Sequence, residues 1–308
     1  MRHIQIISAL LLCTLILSVG CDRNKADENV EAPFNGGLEG IEAEFLEIGS
    51  VSDTGADNEV WEDEAFPLEV RLMNKGEYTV ASHDVELDIQ GISPDDFTGI
   101  DFYKTNSESI EKVSEFLPDG GEEYVDFGDA RYMNLVGTHY DASIKLQMTY
   151  PYETYINIPK VCYKEDIKDN TFCDVDETKQ AFSSGGPIQV GIVRERYIGR
   201  GKILLEIPIR NVQKGKAKAF KNDEFENRFD QAEFIVNDPE WDCSCRGNPT
   251  VARITRPEGE PSNEEAVIRC VNENLEEGAL YQKSVTLTLR YYYQDWITQD
   301  VRIREMPE

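Results

Sequence analysis

The stretch SIKLQMTYPYETYI at residues 143–156 returns as SVTLTLRYYYQDWI at residues 284–297, which is 141 positions further along the chain. In both copies, apolar and polar residues alternate up to a tyrosine-rich segment, PYET in the first and YYQD in the second. A period of two is typical of a strand with one buried face. We therefore predict that each copy is a β-hairpin with its turn at the tyrosine-rich segment, and that it closes one of two duplicated β-sandwiches.

A second repeat supports the duplication. FPLEVRLMNKG at residues 66–76 matches LLEIPIRNVQKG at residues 204–215, and each alternating strand ends in Asn with Gly a few positions later. Asn and Gly tolerate the left-handed backbone of a tight turn. The two repeats predict an all-β fold of two tandem immunoglobulin-like antiparallel β-sandwiches, at residues 34–160 and 187–308, joined by a polar linker at 161–186. Each sandwich is expected to fold on its own.

The strand that ends in Asn74-Lys75-Gly76 resembles the immunoglobulin-like domains of prokaryotic surface lipoproteins, archaeal ones included, and particularly domains of the CARDB-like adhesion type. Asn211 and Gly215 depart from that turn by two inserted residues. The resemblance extends over most of residues 34–305 at the level of pattern. It implies sandwich architecture, and it is compatible with many functions.

The N-terminus predicts export. Residues 1–20, MRHIQIISALLLCTLILSVG, have the basic start and apolar run of a signal peptide. LSVGC, which ends at Cys21, resembles the lipobox of prokaryotic lipoproteins, although Ser18 stands where an aliphatic residue is usual. The resemblance implies that Cys21 is acylated and that residues 21–33 are a flexible tether. We expect an extracytoplasmic protein held at the membrane or cell surface by this lipid; an uncleaved anchor and a plain secreted form are the alternatives.

Charge and cysteine usage agree with this location. The 59 acidic and 31 basic residues give a net charge of −28, which repels nucleic acid and excludes it as a partner. An oxidising compartment favours disulfides. We predict that Cys162 pairs with Cys173, and that Cys270 pairs with either Cys243 or Cys245, which leaves one thiol of these five unpaired.

Two groups of residues are candidates for contact with a ligand or with another part of the chain. The first is aromatic and lies at the predicted hairpin tips: Tyr152, Tyr155, Tyr293 and Trp296. These rings suit a stacking platform for sugars or peptides, and they equally suit packing between the sandwiches. The second is a basic loop with Lys214, Lys216 and Lys218, which could dock on an anionic lipid or polymer. We favour a solvated loop, or one that faces the first domain and its acidic linker.

Signals for metal sites and catalysis are weak. Asp174, Asp176 and Glu177 offer oxygen ligands for calcium, but their spacing lacks the glycine of an EF-hand loop, so a solvated linker is the preferred interpretation. The chain has no Gly-x-Ser-x-Gly, phosphate-loop or HExxH motif. We therefore predict no catalytic residue, metal or cofactor.

These observations favour a lipid-anchored surface protein with a binding, adhesion or envelope-structural role, and they predict that the chain is not an enzyme. The first alternative is a scaffold lipoprotein subunit of an envelope secretion or surface-layer assembly. A weaker alternative is an extracellular hydrolase. The sequence leaves open whether the partner is a protein or a glycan.

Overall fold

A computed structural model describes residues 32–49, 58–133, 135–168, 172–256 and 264–306. That part of the chain contains nineteen strands and no helix, which confirms the all-β prediction. No helix there is long and apolar enough to cross a bilayer. The strands in chain order are β1 (Ile41–Phe45), β2 (Glu59–Trp61), β3 (Phe66–Asn74), β4 (Glu86–Gln90), β5 (Phe97–Ile100), β6 (Tyr103–Thr105), β7 (Glu122–Tyr132), β8 (His139–Lys164), β9 (Glu177–Lys179), β10 (Phe182–Ser183), β11 (Ile188–Val190), β12 (Val193–Gly199), β13 (Lys202–Asn211), β14 (Lys216–Lys218), β15 (Phe229–Val236), β16 (Asp242–Ser244), β17 (Val251–Thr255), β18 (Ala266–Asn272) and β19 (Leu280–Arg304).

The strands form three sheets. The central sheet has the order β17-β15-β19-β8-β4-β6, and β2 and β14 pair with β19 while β10 pairs with β8. The N-terminal outer sheet has the order β1-β3-β7-β5. The C-terminal outer sheet has the order β16-β18-β13-β12-β9, with β11 paired to β13.

The two predicted hairpins are wrong. PYET and YYQD lie inside β8 and β19, which have 26 and 25 residues and pair with each other, antiparallel, from His139–Arg304 to Lys164–Leu280. A two-residue hairpin needs backbone with positive φ, and no residue from 143 to 156 adopts it. The side-chain alternation therefore continues through both tyrosine-rich segments without a break.

Pro151 is accommodated because one edge of β8 is open beside it. On that edge, β4 pairs with β8 only as far as Thr149, and β10 begins to pair at Ile156. On this edge, no described strand bonds to β8 between these points, so the missing N–H of proline costs no ladder hydrogen bond there.

Both outer sheets cover the same face of the central sheet. The even-numbered residues of β8 point inward from Ala142 to Ile158, and the odd-numbered residues of β19 point inward from Val285 to Ile303. The buried side therefore does not change along either strand. At the centre, Tyr150 Oη accepts a hydrogen bond from Ile41 N of β1 at 3.1 Å. The second half repeats this contact, since the N–H of Ile188 in β11 donates to Tyr291 Oη at 3.4 Å.

The long strands tie the two halves together. Residues 32–308 form one compact unit, with a continuous core of buried apolar side chains. The linker predicted at 161–186 begins inside β8, so the chain does not leave the sheet at the predicted boundary. The ranges 34–160 and 187–308 correspond to the two structural repeats, but each repeat completes its part of the central sheet with a strand segment from the other.

Candidate binding surface

One face of the central sheet is not covered by the outer sheets, and we call it the open face. It displays the side chains of β4, β6, β8 and β19 that alternate with the core residues. Residues that pair directly across neighbouring antiparallel strands point to the same face. The strand register therefore shows which side chains are neighbours on this face.

A row of four side chains crosses the open face. Trp296 pairs with Gln147, Gln147 pairs with Asp88, and Asp88 pairs with Tyr103. We call these four residues the binding row. Strands are spaced about 4.8 Å apart, so the backbones of Trp296 and Tyr103 are about 14 Å apart. Both aromatic side chains are accessible, with exposed fractions of 38% for Trp296 and 56% for Tyr103.

Neighbouring side chains organise the binding row. Lys145 Nζ lies 5.1 Å from the centre of the Trp296 ring, a cation–π distance. Gln90 Nε2 donates a hydrogen bond to Asp88 Oδ2 at 2.9 Å, which orients that carboxylate. The surface thus offers two aromatic rings at the ends of a strip of amide and carboxylate groups.

A second cluster on the open face is held by its own contacts. Arg290 Nε donates to Glu153 Oε1 at 2.9 Å, and Tyr155 Oη donates to Glu153 Oε2 at the same distance. Partial burial, followed by this contact with Glu153, raises the pKa of Tyr155 to about 12. The Phe220 ring stacks on Tyr292 at 4.7 Å and lies beneath the Arg290 guanidinium. In this cluster, Arg290 contacts Glu153 and the Phe220 ring.

The structure separates the four aromatic residues singled out in the sequence. Tyr155 and Trp296 lie on the open face, whereas Tyr152 and Tyr293 are buried in the core. Tyr152 Oη donates to Gly185 O at 2.7 Å. Tyr293 packs against the turn that begins at Asn211. Tyr152 and Tyr293 therefore pack inside the core and do not present their rings on the surface.

The two glycines of the repeated Asn-Gly turns are explained by these tyrosines. A Cβ on Gly76 would collide with the Tyr152 hydroxyl, and one on Gly215 would collide with the Tyr293 ring. Glycine therefore lets each turn approach the centre of the long strands.

The basic loop does not face the acidic linker. Lys216 Nζ donates to Asn227 Oδ1 at 2.6 Å, and Lys218 Nζ donates to Asp223 O at 3.1 Å. Lys214 is exposed to solvent. Neither Lys216 nor Lys218 contacts Asp174, Asp176 or Glu177, because β14 pairs with β19 at Tyr292–Gln294 and places these lysines beside Asp223 and Asn227.

The weak calcium candidates serve other contacts. Asp176 accepts the N–H of Tyr197 at 3.0 Å, Glu177 binds Lys179 at 2.5 Å, and Asp174 offers its backbone carbonyl to the same lysine. The described residues contain no group of three or more His, Cys, Asp or Glu side chains arranged to hold a metal ion.

The predicted disulfides are confirmed. Cys162 is bonded to Cys173, and Cys243 to Cys270, which leaves Cys245 as a buried thiol. Cys243 pairs with Cys270 because the two residues lie opposite each other on β16 and β18. The lipidation candidate Cys21 lies outside the described residues.

Glu195 is a buried carboxyl group that the sequence interpretation missed. Its Oε1 accepts the N–H of Cys162 at 2.9 Å. Lys179 Nζ lies 2.9 Å from Oε2 and forms a buried ion pair with it. Burial, opposed by Lys179, raises the pKa of Glu195 to about 7. The alternation of Val193, Glu195 and Tyr197 already placed this carboxyl on the inward face.

Comparison of the chain with protein-family models and with curated proteins gave no match.

Proposed function

We propose that this chain is a lipid-anchored, extracytoplasmic adhesion protein that binds a glycan through the binding row. The observation that carries the proposal is the register that aligns Trp296, Gln147, Asp88 and Tyr103 on an accessible sheet face. Sugar rings have apolar C–H faces that stack on aromatic rings, and hydroxyl edges that bond to amides and carboxylates. The binding row offers both kinds of group within about 14 Å.

The proposed location is supported from two directions. Residues 1–20 and Cys21 have the pattern of an export signal followed by an acylation site. The two disulfides are of the kind that persists in oxidising compartments. A single acyl chain gives marginal attachment, and two or more give durable attachment. We expect Cys21→Ser to move the full chain from the detergent phase to the aqueous phase, while Cys245→Ser leaves partitioning unchanged.

The glycan test uses residues 32–308 and their Trp296→Ala/Tyr103→Ala double variant. The matched control is Tyr124→Ala, because Tyr124 has the same exposed fraction as Tyr103, 56%, and lies on the outer surface of the N-terminal outer sheet. Binding to envelope polysaccharides and to arrayed glycans is measured by sedimentation and fluorescence. We expect at least a tenfold loss of affinity for the double variant and none for the control.

The same experiment separates the proposal from the scaffold alternative. Equal glycan binding by the wild type and the double variant would show that the binding row is not the glycan site. Capture of a folded envelope protein, without binding to any glycan, would favour a subunit of a secretion or surface-layer assembly.

A further inference from the structure

The two outer sheets occupy equivalent positions in the repeat but carry opposite charge on their outward surfaces. The outward strand positions of the N-terminal outer sheet, which we call the acidic face, hold six acids and two bases: Glu42, Glu44, Glu69, Glu122, Asp126, Asp129, Arg71 and Arg131. Those of the C-terminal outer sheet, which we call the basic face, hold five bases and two acids: Arg194, Arg196, Lys202, Arg210, Arg269, Glu206 and Asp242.

The basic face is unusual in a chain of net charge −28. Arg194, Arg246 and Arg269 line a groove of about 760 Å³ on this face, together with Glu206 and Glu265. Glu206 binds Arg269 at 2.7 Å and lies 4.0 Å from Arg196. Among the described residues, Arg194 and Arg246 have neither an ion pair nor a hydrogen-bonded side-chain partner. With three arginines against two glutamates, the groove keeps a net positive charge that an external anion would neutralise.

Each face also exposes apolar surface beside its charges. On the basic face, Ile192 is 70% exposed and Val267 is 37% exposed, and both line the arginine groove. On the acidic face, Tyr124 and Pro67 are exposed beside the carboxylates. The two faces are thus complementary in charge, and each has apolar area to bury.

We infer that the basic face docks on the acidic face of a second copy of this chain. The two faces lie side by side, since both outer sheets cover the same face of the central sheet. A two-fold axis between two copies then places each acidic face against the partner's basic face, so both contacts form at once. Such an isologous arrangement closes at the dimer.

The high net charge does not prevent this contact. Charges on separate copies are largely screened beyond about 8 Å at physiological ionic strength, so the facing side chains dominate at close range. Exposed ion pairs contribute little individually. The exposed apolar residues add buried apolar area to the contact, and the charges select the orientation and the partner.

The test is sedimentation equilibrium of residues 32–308 at physiological and at high salt. The basic-face variant is Arg194→Glu/Arg246→Glu, which breaks no described ion pair. The acidic-face variant is Glu44→Lys/Glu69→Lys, which changes two strand positions on the outer surface. We expect a wild-type dimer that weakens with salt, and at least a tenfold weaker self-association for each variant.

Mixing the variants gives the decisive result. Each double substitution neutralises its own face and leaves the other face unchanged. In an equimolar mixture, the heterodimer joins the unchanged acidic face of one variant to the unchanged basic face of the other, and its second contact pairs the face that gained two glutamates with the face that gained two lysines. The mixture is therefore expected to recover the dimer. The control is Asp300→Lys on the open face, which should leave the association unchanged. Equal urea midpoints for all variants verify folding.

Three results would overturn the inference. They are a wild type that is monomeric at every concentration and salt, a mixture that stays monomeric, and a control that weakens association as much as the face variants. Open chains longer than dimers would likewise contradict the closed two-fold arrangement.

Discussion

Pro151 and Tyr292 pair directly across β8 and β19, and they also occupy the same place in the 141-residue repeat. A pseudo-two-fold axis therefore passes between them. Tyr150 faces Tyr293 across the strands, and Tyr152 faces Tyr291. The repeat that suggests two hairpins is thus a pair of strands, each running from its own half of the molecule into the other.

This exchange predicts that the halves do not fold separately. Residues 187–308 lack the whole of β8, which pairs with β19 from Leu280 to Arg304. That edge carries apolar side chains, and losing its partner strand leaves them exposed. We expect the isolated fragment to give a poorly dispersed amide spectrum and a non-cooperative melt, and an equimolar mixture with residues 32–186 to restore both. Cooperative melting of the monomeric fragment would contradict this.

The central tyrosine hydroxyls are expected to stabilise the fold. Tyr150→Phe leaves the buried N–H of Ile41 without its acceptor, and Tyr291→Phe removes the equivalent acceptor from Ile188. An unsatisfied buried donor costs about 1–3 kcal/mol, so both variants should lower the free energy of unfolding in urea by that amount. Tyr124→Phe, an exposed control, should change it by less than about 0.5 kcal/mol. If the control matches the two core variants, the hydroxyl contacts are not responsible.

The disulfides are expected to differ in their contributions. Cys162 and Cys173 are 11 positions apart, and Cys243 and Cys270 are 27 apart. Closing such loops stabilises a chain by about 3 kcal/mol, and more for the longer loop. Replacing each pair by alanine, followed by urea unfolding, tests this order. An equal or reversed order would show that loop entropy does not govern these bridges.

Cys245 gives an independent check of the pairing. Its side chain is buried, so the thiol should not react with Ellman's reagent in native residues 32–308, and one thiol per chain should appear on unfolding. Rapid reaction of the native protein would contradict the burial of Cys245. Three thiols on unfolding would mean that one bridge is missing.

Glu195 predicts a pH dependence of stability. Its pKa in the folded chain, about 7, lies above that of an exposed glutamate. The folded state therefore holds the proton more tightly, and the contribution to stability is full at pH 4 and is lost as the pH rises through 7. Glu195→Gln should remove this component, so the difference in stability between variant and wild type should grow in favour of the variant from pH 5 to 8. A constant difference would show that Glu195 does not titrate in this range.

Much of the fold follows from the period of two. The alternation in residues 143–156 and 284–297 assigns the inward side chains correctly, whether the segments are hairpins or continuous strands. The choice between the two depends on residues 151–154, where Gly and Asn are absent. The absence of these turn-forming residues favours a continuous strand. The hairpin prediction instead followed the pattern of a strand pair that closes a sandwich.

The binding row was predicted only in part. Trp296 stands out in the sequence as an exposed aromatic candidate, but Gln147, Asp88 and Tyr103 join it through strand pairings between distant parts of the chain. Such registers are fixed by the packing of both faces and by long connections, which no local pattern specifies. The opposite charges of the two outer surfaces likewise appear only once the strands are assigned to sheets.

The entry of the chain at the centre has a mechanical consequence. Asn35 and Gly36 bond through their N–H groups to Glu77, and Ile41 bonds to Tyr150 beside the pseudo-two-fold axis. Half of a long strand spans about 40 Å at 3.3 Å per residue. In the lipid-anchored form that we propose, a load on the far end of either half would act on the N-terminal attachment through a lever of that length. Two equal loads at opposite ends of the paired long strands would then produce opposing torques that cancel at the centre.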